Sequence, residues 1–369
     1  MKVGILTFHN AVNYGAVLQA YALQQVIRGM GADCEIIDYS CPAVVRQYRA
    51  RKMRECTGWK DFALGLLSAP RLKKKKAAFA RFVGENLTLS LKVADVTDGS
   101  LGRYDVIVAG SDQIFNPKNT AGDRAYLLDF PSGARKIAYA ASIGNNDFLA
   151  LWQERYHVDY QKLLRAFDAL SFREQAAAGF VGNLLGQKCE TVLDPVLLAG
   201  AGLWEKFCPP PEEDYIFVYN LGNIRSMQDA VRALQKKTGL KVYVASKDFK
   251  GDFLYRGYAN ASALSPDAFV GKLFGAKYVI TDSFHGTAFS VLLHKNFYAV
   301  TRAGKENTNS RIENLLSALN LGDRILSGGG EPDSDSAPEY DGVDERLAAM
   351  RGHSVSWLGA ALGLDKEDK

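Results

Sequence analysis

The segment Tyr278-Val279-Ile280-Thr281-Asp282-Ser283-Phe284-His285-Gly286-Thr287 sets a carboxylate, a hydroxyl and an imidazole directly after an apolar run. Imidazole exchanges a proton near neutral pH, and an adjacent carboxylate can orient it or raise its basicity. His285 is therefore the first candidate for proton transfer, with Asp282 as its partner. Ser283, Gly286 and Thr287 stand at the turn into a helical pattern, where unsatisfied backbone N–H groups favour an anion. The competing reading is a structural histidine that caps the turn. His9, His157, His294 and His353 have no comparable setting, and His294 closes an apolar run as residues at helix C-termini do.

Positive charge for an anionic substrate has three sources. Ser171-Phe172-Arg173-Glu174 and Ser310-Arg311-Ile312-Glu313 both carry Ser-x-x-Glu, a pattern that starts helices. It predicts Arg173 and Arg311 in a first helical turn, where a cation opposes the helix dipole by roughly 0.3 to 1 kcal/mol. A residue unfavourable for its own helix invites another purpose, and two such guanidinium groups can clamp a phosphate or carboxylate bidentately. Pairing with Glu174 or Glu313 is the alternative. Arg302 lies shortly upstream of Arg311.

Further candidates gather in the first half. Asn13-Tyr14-Gly15 leads from an apolar run into a helical pattern, where Gly15 lets backbone N–H groups approach an anion, and Ser111-Asp112-Gln113 ends the buried run Val106 to Ala109, with Asp112 and Gln113 suited to sugar hydroxyls. Ala140 to Gly144 ends another run in small residues. Turn and cap roles compete at each, since Asn, Asp, Ser and Gly are also the common turn residues.

The elements that position these residues alternate between short Val/Ile/aromatic runs and longer helical patterns, which predicts an α/β fold with parallel sheets covered by helices. Strands are expected at Lys2 to Phe8, Cys34 to Tyr39, Asp105 to Ala109, Lys136 to Ala141, Ala169 to Phe172 and Thr191 to Leu193. A second set follows at Tyr215 to Asn220, Lys241 to Ala245 and Lys277 to Thr281, with helices over Met227 to Lys237, Asp267 to Phe274 and Thr287 to His294. In such sheets ligands bind beyond the carboxyl ends of the strands, where the candidate residues above stand.

With 369 residues, the chain exceeds what one core usually supports. The proline-rich stretch Cys208 to Asp214 divides it into lobes over 1–208 and 209–342, followed by a helical pattern over 343–369 that is able to pack back on the first lobe. Residues 42–86 form a helical insertion in the first lobe. Its run Arg71-Leu72-Lys73-Lys74-Lys75-Lys76 suits either a solvated helix face or peripheral contact with an anionic inner-membrane surface.

A formal charge of +4 gives no general case for nucleic-acid binding. The five cysteines, Cys34, Cys41, Cys56, Cys189 and Cys208, include no Cys-x-x-Cys spacing, so neither a disulfide framework nor a metal site is expected. The opening apolar run is too short for a signal segment, and no run reaches transmembrane length. The expectation is a cytoplasmic protein, in membrane contact only at its periphery.

Four motifs in order, Asn13 to Gln24, Gly110-Ser111-Asp112-Gln113-Ile114-Phe115-Asn116-Pro117, Ser171 to Glu174 and Asp282 to Thr287, resemble the polysaccharide pyruvyl transferase family and span nearly the whole chain. The resemblance implies two Rossmann-like lobes facing a cleft, similar to GT-B glycosyltransferases. It implies transfer of the pyruvyl group of phosphoenolpyruvate to two hydroxyls of a sugar in a surface polysaccharide or its precursor, giving a cyclic ketal and phosphate. No metal or nucleotide cofactor is implied. His285 and Asp282 would be catalytic. Arg173 of the first lobe, with Arg311, Arg302, Ser283, Gly286 and Thr287 of the second, the donor side, would bind the donor, and Asn13, Tyr14, Gly15, Ser111, Asp112 and Gln113 on the first, acceptor side would bind a free or lipid-linked sugar acceptor. Better-studied members carry Arg-x-His where this chain has Ser283-Phe284-His285, so an expected arginine is missing. A glycosyltransferase using a nucleotide sugar and a non-catalytic sugar-phosphate or lipid-carrier binding protein are the alternatives.

Overall fold

A computed structural model of the protein describes residues 1–48, 59–144, 149, 151–222, 225–301, 310–328 and 330–364. The first sheet contains β1 (Lys2–Leu6), β2 (Asp33–Ile36), β3 (Val106–Ala109), β4 (Arg135–Ala141), β5 (Ala169–Phe172) and β6 (Glu190–Thr191) in the order β2-β1-β3-β4-β5-β6. The second contains β7 (Tyr215–Asn220), β8 (Lys241–Ser246), β9 (Ala259–Asn260), β10 (Tyr278–Thr281), β11 (Asn296–Thr301) and β12 (Ile325–Ser327) in the order β12-β11-β10-β7-β8-β9. Every pairing within the two sheets is parallel. Central strands covered on both faces read as unbroken apolar runs, and β3 (Val-Ile-Val-Ala) and β7 are buried throughout.

Strand order reverses between β1 and β3 in the first sheet and between β7 and β10 in the second. Such reversals splay the following loops apart and open a crevice at the strand ends. The loops after β1 and β3 carry Asn13, Asp112 and Gln113, and those after β7 and β10 carry Leu221 and Asp282. The two crevices face one another.

The cores of the lobes are continuous. The helix Tyr14–Gly29 is capped by Asn13, whose side-chain oxygen accepts from the Gly15 and Ala16 N–H groups at 3.0 and 3.5 Å. It is buried on nearly every side because both lobes cover it. Tyr14 stacks on Phe269 of the second lobe at 4.1 Å between centroids, and its hydroxyl donates to the Leu264 carbonyl at 3.0 Å. Trp204 joins Tyr21 to Phe289.

The stretch Cys208 to Asp214 holds neither helix nor strand. The last helix, Asp341–Leu362, returns to the first lobe. Its Trp357 ring lies beside Tyr139, its Ser354 Oγ accepts from the Leu193 N–H at 3.0 Å, and its Arg351 Nε donates to the Leu197 carbonyl at 3.2 Å.

Three strands escape a reading of local pattern. β9 and β12 are edge strands of 2 and 3 residues, too short to show a period. β11 follows its helix without a glycine or proline break, because His294 takes the left-handed turn conformation at φ 51°.

The insertion forms helices Pro42–Gln47 and Trp59–Asn86. Lys73 and Lys74 are exposed, but the basic run is not a uniformly solvated face. Arg71 pairs with Asp252 of the second lobe, while Phe79, Phe82 and Lys75 are buried. The Lys75 ammonium sits 4.6 Å over the Tyr14 ring. Burial, reinforced by the Arg71 charge and partly offset by Asp252, lowers its pKa to about 7. The unfolded chain, where lysine titrates near 10.4, then binds more protons between pH ~7 and ~10. Stability is expected to rise across that window and to lose this slope in Lys75→Met, as checked by urea midpoints at pH 7 and 9.

Candidate functional site

A small cavity of about 130 Å³ opens where the two strand-order reversals meet, lined by Asn13, Asp112, Gln113, Leu221, Asp282, Ser283, Phe284, His285, Arg311 and Ile312. Seven of the residues singled out from the sequence thus share one space although they come from both lobes.

His285 enters it from the first turn of the helix Phe284–Leu292. Its ring packs against the Cα of Gly15 across the lobe boundary. A methyl group at residue 15 would lie 2.5 Å from Cγ and 2.6 Å from Cε1 of the ring, so only glycine allows this approach. Gly15→Ala is expected to displace the imidazole and lower kcat by about tenfold or more, given what small misplacements of catalytic groups cost. Near-wild-type circular dichroism together with the kcat loss checks this.

The carboxylate beside His285 is Asp194, not Asp282. Asp282 accepts from the backbone N–H groups of Leu221 at 2.7 Å and Gly222 at 2.5 Å, bracing the loop after β7. Asp194 follows β6 and caps the short helix Pro195–Leu198, its Oδ1 accepting from the Val196 N–H at 3.0 Å. Its Oδ2 receives Arg173 Nη1 at 2.9 Å and Ser111 Oγ at 3.1 Å, and lies 3.4 Å from His285 Nε2. That last separation and alignment fall short of a hydrogen bond, leaving Nε2 buried without a partner. Burial alone would push the Asp194 carboxyl up, but the close approach of His285, the Arg173 charge and the Val196 N–H outweigh it and hold the group well below the usual range.

Arg173 stands ahead of the helix Gln175–Leu185 rather than inside its first turn. Ser171 lies within β5, where its hydroxyl donates to the Ala138 carbonyl at 3.0 Å, so the Ser-x-x-Glu pattern is not a capping box here. The Arg173 guanidinium lies 4.5 Å over the Phe284 ring. Glu174 accepts from Ser142 at 2.6 Å. Arg311 is in the first turn of the helix Ser310–Ala318, and burial followed by the nearby Arg173 charge lowers its pKa. With the Gln113 amide oxygen turned toward it, Arg311 donates to that oxygen from Nη1 at 3.0 Å and Nη2 at 2.9 Å.

The other expected residues fall behind the cavity wall. Ser111 supports Asp194, and Thr287 donates to the Ser283 carbonyl at 3.0 Å. Gly286 packs tightly on Thr281. Tyr14 is committed to lobe packing, so its hydroxyl is not offered to the cavity. Arg302 lies outside the described residues. Asp112 adopts φ 78°, a strained conformation for a residue with a side chain, held by its own Oδ1 accepting from the Gln113 N–H at 2.8 Å. Among the described residues no cluster of His, Cys, Asp and Glu could hold a metal, and no helix is long and apolar enough to cross a membrane.

The polysaccharide pyruvyl transferase family model matches residues 13–304, most of the chain. The chain belongs to that family. Comparison with curated proteins by sequence yields no match. Among solved structures, the fold resembles the UDP complex of MnaA from S. aureus (12% identity, covering 100% of this chain and 98% of that one, TM-score 0.50). It also resembles UDP-GlcNAc 2-epimerase from Neisseria meningitidis (10% identity, 99% and 100% covered, TM-score 0.50). At these identities the likeness concerns the fold, two Rossmann-like lobes of GT-B type.

Ser283 is the residue that the sequence resemblance sets where an arginine is expected. Here it is the N-cap of the His285 helix, its Oγ accepting from the Gly286 N–H at 3.3 Å. Among the described residues, positive charge at the site comes from Arg311, which lines the cavity, and Arg173, which reaches His285 through their shared Asp194.

Asp194 was missed from the sequence. The rule of inspecting residues after each strand, applied to Thr191 to Leu193, lands on it, but Asp-Pro at a helix start reads as an ordinary cap.

Proposed function

We propose that the protein transfers the pyruvyl group of phosphoenolpyruvate to two hydroxyls of a sugar in a surface polysaccharide or its precursor. The observation that carries this reading is His285 facing the ionised Asp194 across the lobe boundary, beside a cavity that receives polar groups from both lobes. An ionised Asp194 beside Nε2 favours the imidazole tautomer with its proton on that nitrogen.

In the reaction, C3 of the enol gains a proton and becomes a methyl group, and C2 becomes electrophilic. One sugar hydroxyl adds to C2, phosphate leaves, and the second hydroxyl closes the ketal. One hydroxyl proton balances the methyl group and the other leaves with phosphate. His285 moves the proton, Arg311 neutralises the donor's negative charge, and Arg173 fixes Asp194. Asn13, Asp112 and Gln113 on the first-lobe side suit the acceptor hydroxyls; Ser283 and Arg311 suit the donor side. The acceptor is free or lipid-linked, and the reaction belongs in the cytoplasm, where phosphoenolpyruvate is made.

Thermal unfolding with candidate donors tests this. Stabilisation by phosphoenolpyruvate and not by UDP or GDP sugars supports it, because a ligand that binds the native state raises the midpoint. Stabilisation by a nucleotide sugar alone would instead support glycosyl transfer, and stabilisation by sugar phosphates without turnover a non-catalytic binding protein.

A further inference from the structure

A second, larger cavity of about 710 Å³ lies beyond a partition made by Phe284 and Arg311, the two residues that line both spaces. It is bounded by β6, the helix Ser310–Ala318 and the C-terminal helix, and only its closed end, at Arg173, Asp194 and Arg311, is shared with the transfer site. Its walls are largely apolar, with Val192, Leu197, Leu315 and Met350 among them. Lys188, Glu190 and His353 stand at the open end.

At the closed end is Arg173, whose side chain is 2% exposed. Nη1 is bound to Asp194, but Nε and Nη2 have no hydrogen-bond partner. The nearest carboxylate to Nε, Glu174 Oε1, is 3.7 Å away. Buried donors of a cation left unmatched are costly, so the pair invites a ligand. Nε and Nη2 lie along one edge of the guanidinium and match two oxygens of one phosphate side-on. Arg311 adds a second positive charge at the same end. A three-carbon donor needs no apolar chamber of this size.

We propose that this cavity binds an amphipathic anion, a long alkyl or isoprenyl chain ending in phosphate, with the phosphate on Arg173 and the chain running toward the opening between the two helices. The binding stands whether or not pyruvyl transfer is the reaction.

Isothermal titration of the full chain with dodecyl phosphate, below the concentration at which it forms micelles, tests the proposal. Saturable binding is expected, with inorganic phosphate and dodecyl maltoside each weaker by at least about tenfold. Gly179 lines the cavity from the exposed side of its helix, and a methyl group there meets nothing within 4 Å, so Gly179→Trp should narrow the space with the backbone undisturbed. It should weaken dodecyl phosphate binding by about tenfold or more. Arg173→Gln should weaken it as well, but that variant leaves Asp194 buried without its cation, so Gly179→Trp keeps the test decisive if Arg173→Gln does not fold. Equal affinity for dodecyl maltoside, equal affinity for inorganic phosphate, or wild-type affinity in folded Gly179→Trp would each overturn the proposal.

Discussion

His285→Ala is expected to lower kcat for acceptor-dependent phosphate release by roughly 10²- to 10⁴-fold, the range for loss of a positioned general acid or base. The fold should survive. His285 Nε2 has no hydrogen-bond partner to strand, and the ring's neighbours Gly15 and Phe284 are held by their own helices. Discontinuous phosphate assays at saturating donor, with circular dichroism as the control, check the prediction. A variant as active as wild type would remove His285 from the chemistry.

Asp194→Asn is expected to cost both stability and activity. The substitution keeps the shape and the cap on Val196 but takes the negative charge from a site where Arg173 is buried and His285 stands close. Breaking a buried ion pair by neutralising one partner typically costs about 3–5 kcal/mol. A lower urea midpoint with an unchanged slope would show this as a stability loss alone. The pH dependence follows from the sign of the shift. The Asp194 carboxyl is held below its unfolded value, so its contribution is complete above pH ~3.9 and is lost as pH falls toward the lower folded value. The Asn variant should lack that part of the acid unfolding profile. Its kcat should fall as well, because the imidazole loses the charge that selects its tautomer.

Much of this site is legible in the residues themselves. The apolar runs ending at Gln113, Arg173 and His285 mark strand ends, and the rule that ligands gather there names most of the cavity lining. Local pattern fails where a partner is distant in sequence. Asp282 looked like the orienting carboxylate because it is three residues from His285. The carboxylate that faces the ring, Asp194, is 91 residues away and has the local grammar of a helix cap. Tyr14 and Lys75 looked solvent-facing or ligand-binding and instead hold the lobes together, since no single helix reveals that another lobe covers it. Gly15 read as a turn or anion-binding residue, and its reason is steric contact with an imidazole from the other half of the chain.

The most direct measurement is mass spectrometry of a panel of candidate sugar acceptors, free and lipid-linked, incubated with the protein and phosphoenolpyruvate. A product bearing a cyclic pyruvate ketal, formed with one phosphate released per ketal and abolished in His285→Ala, is the predicted result. A glycosylated product formed only from a nucleotide sugar, with phosphoenolpyruvate left unconsumed across the whole panel, would contradict it.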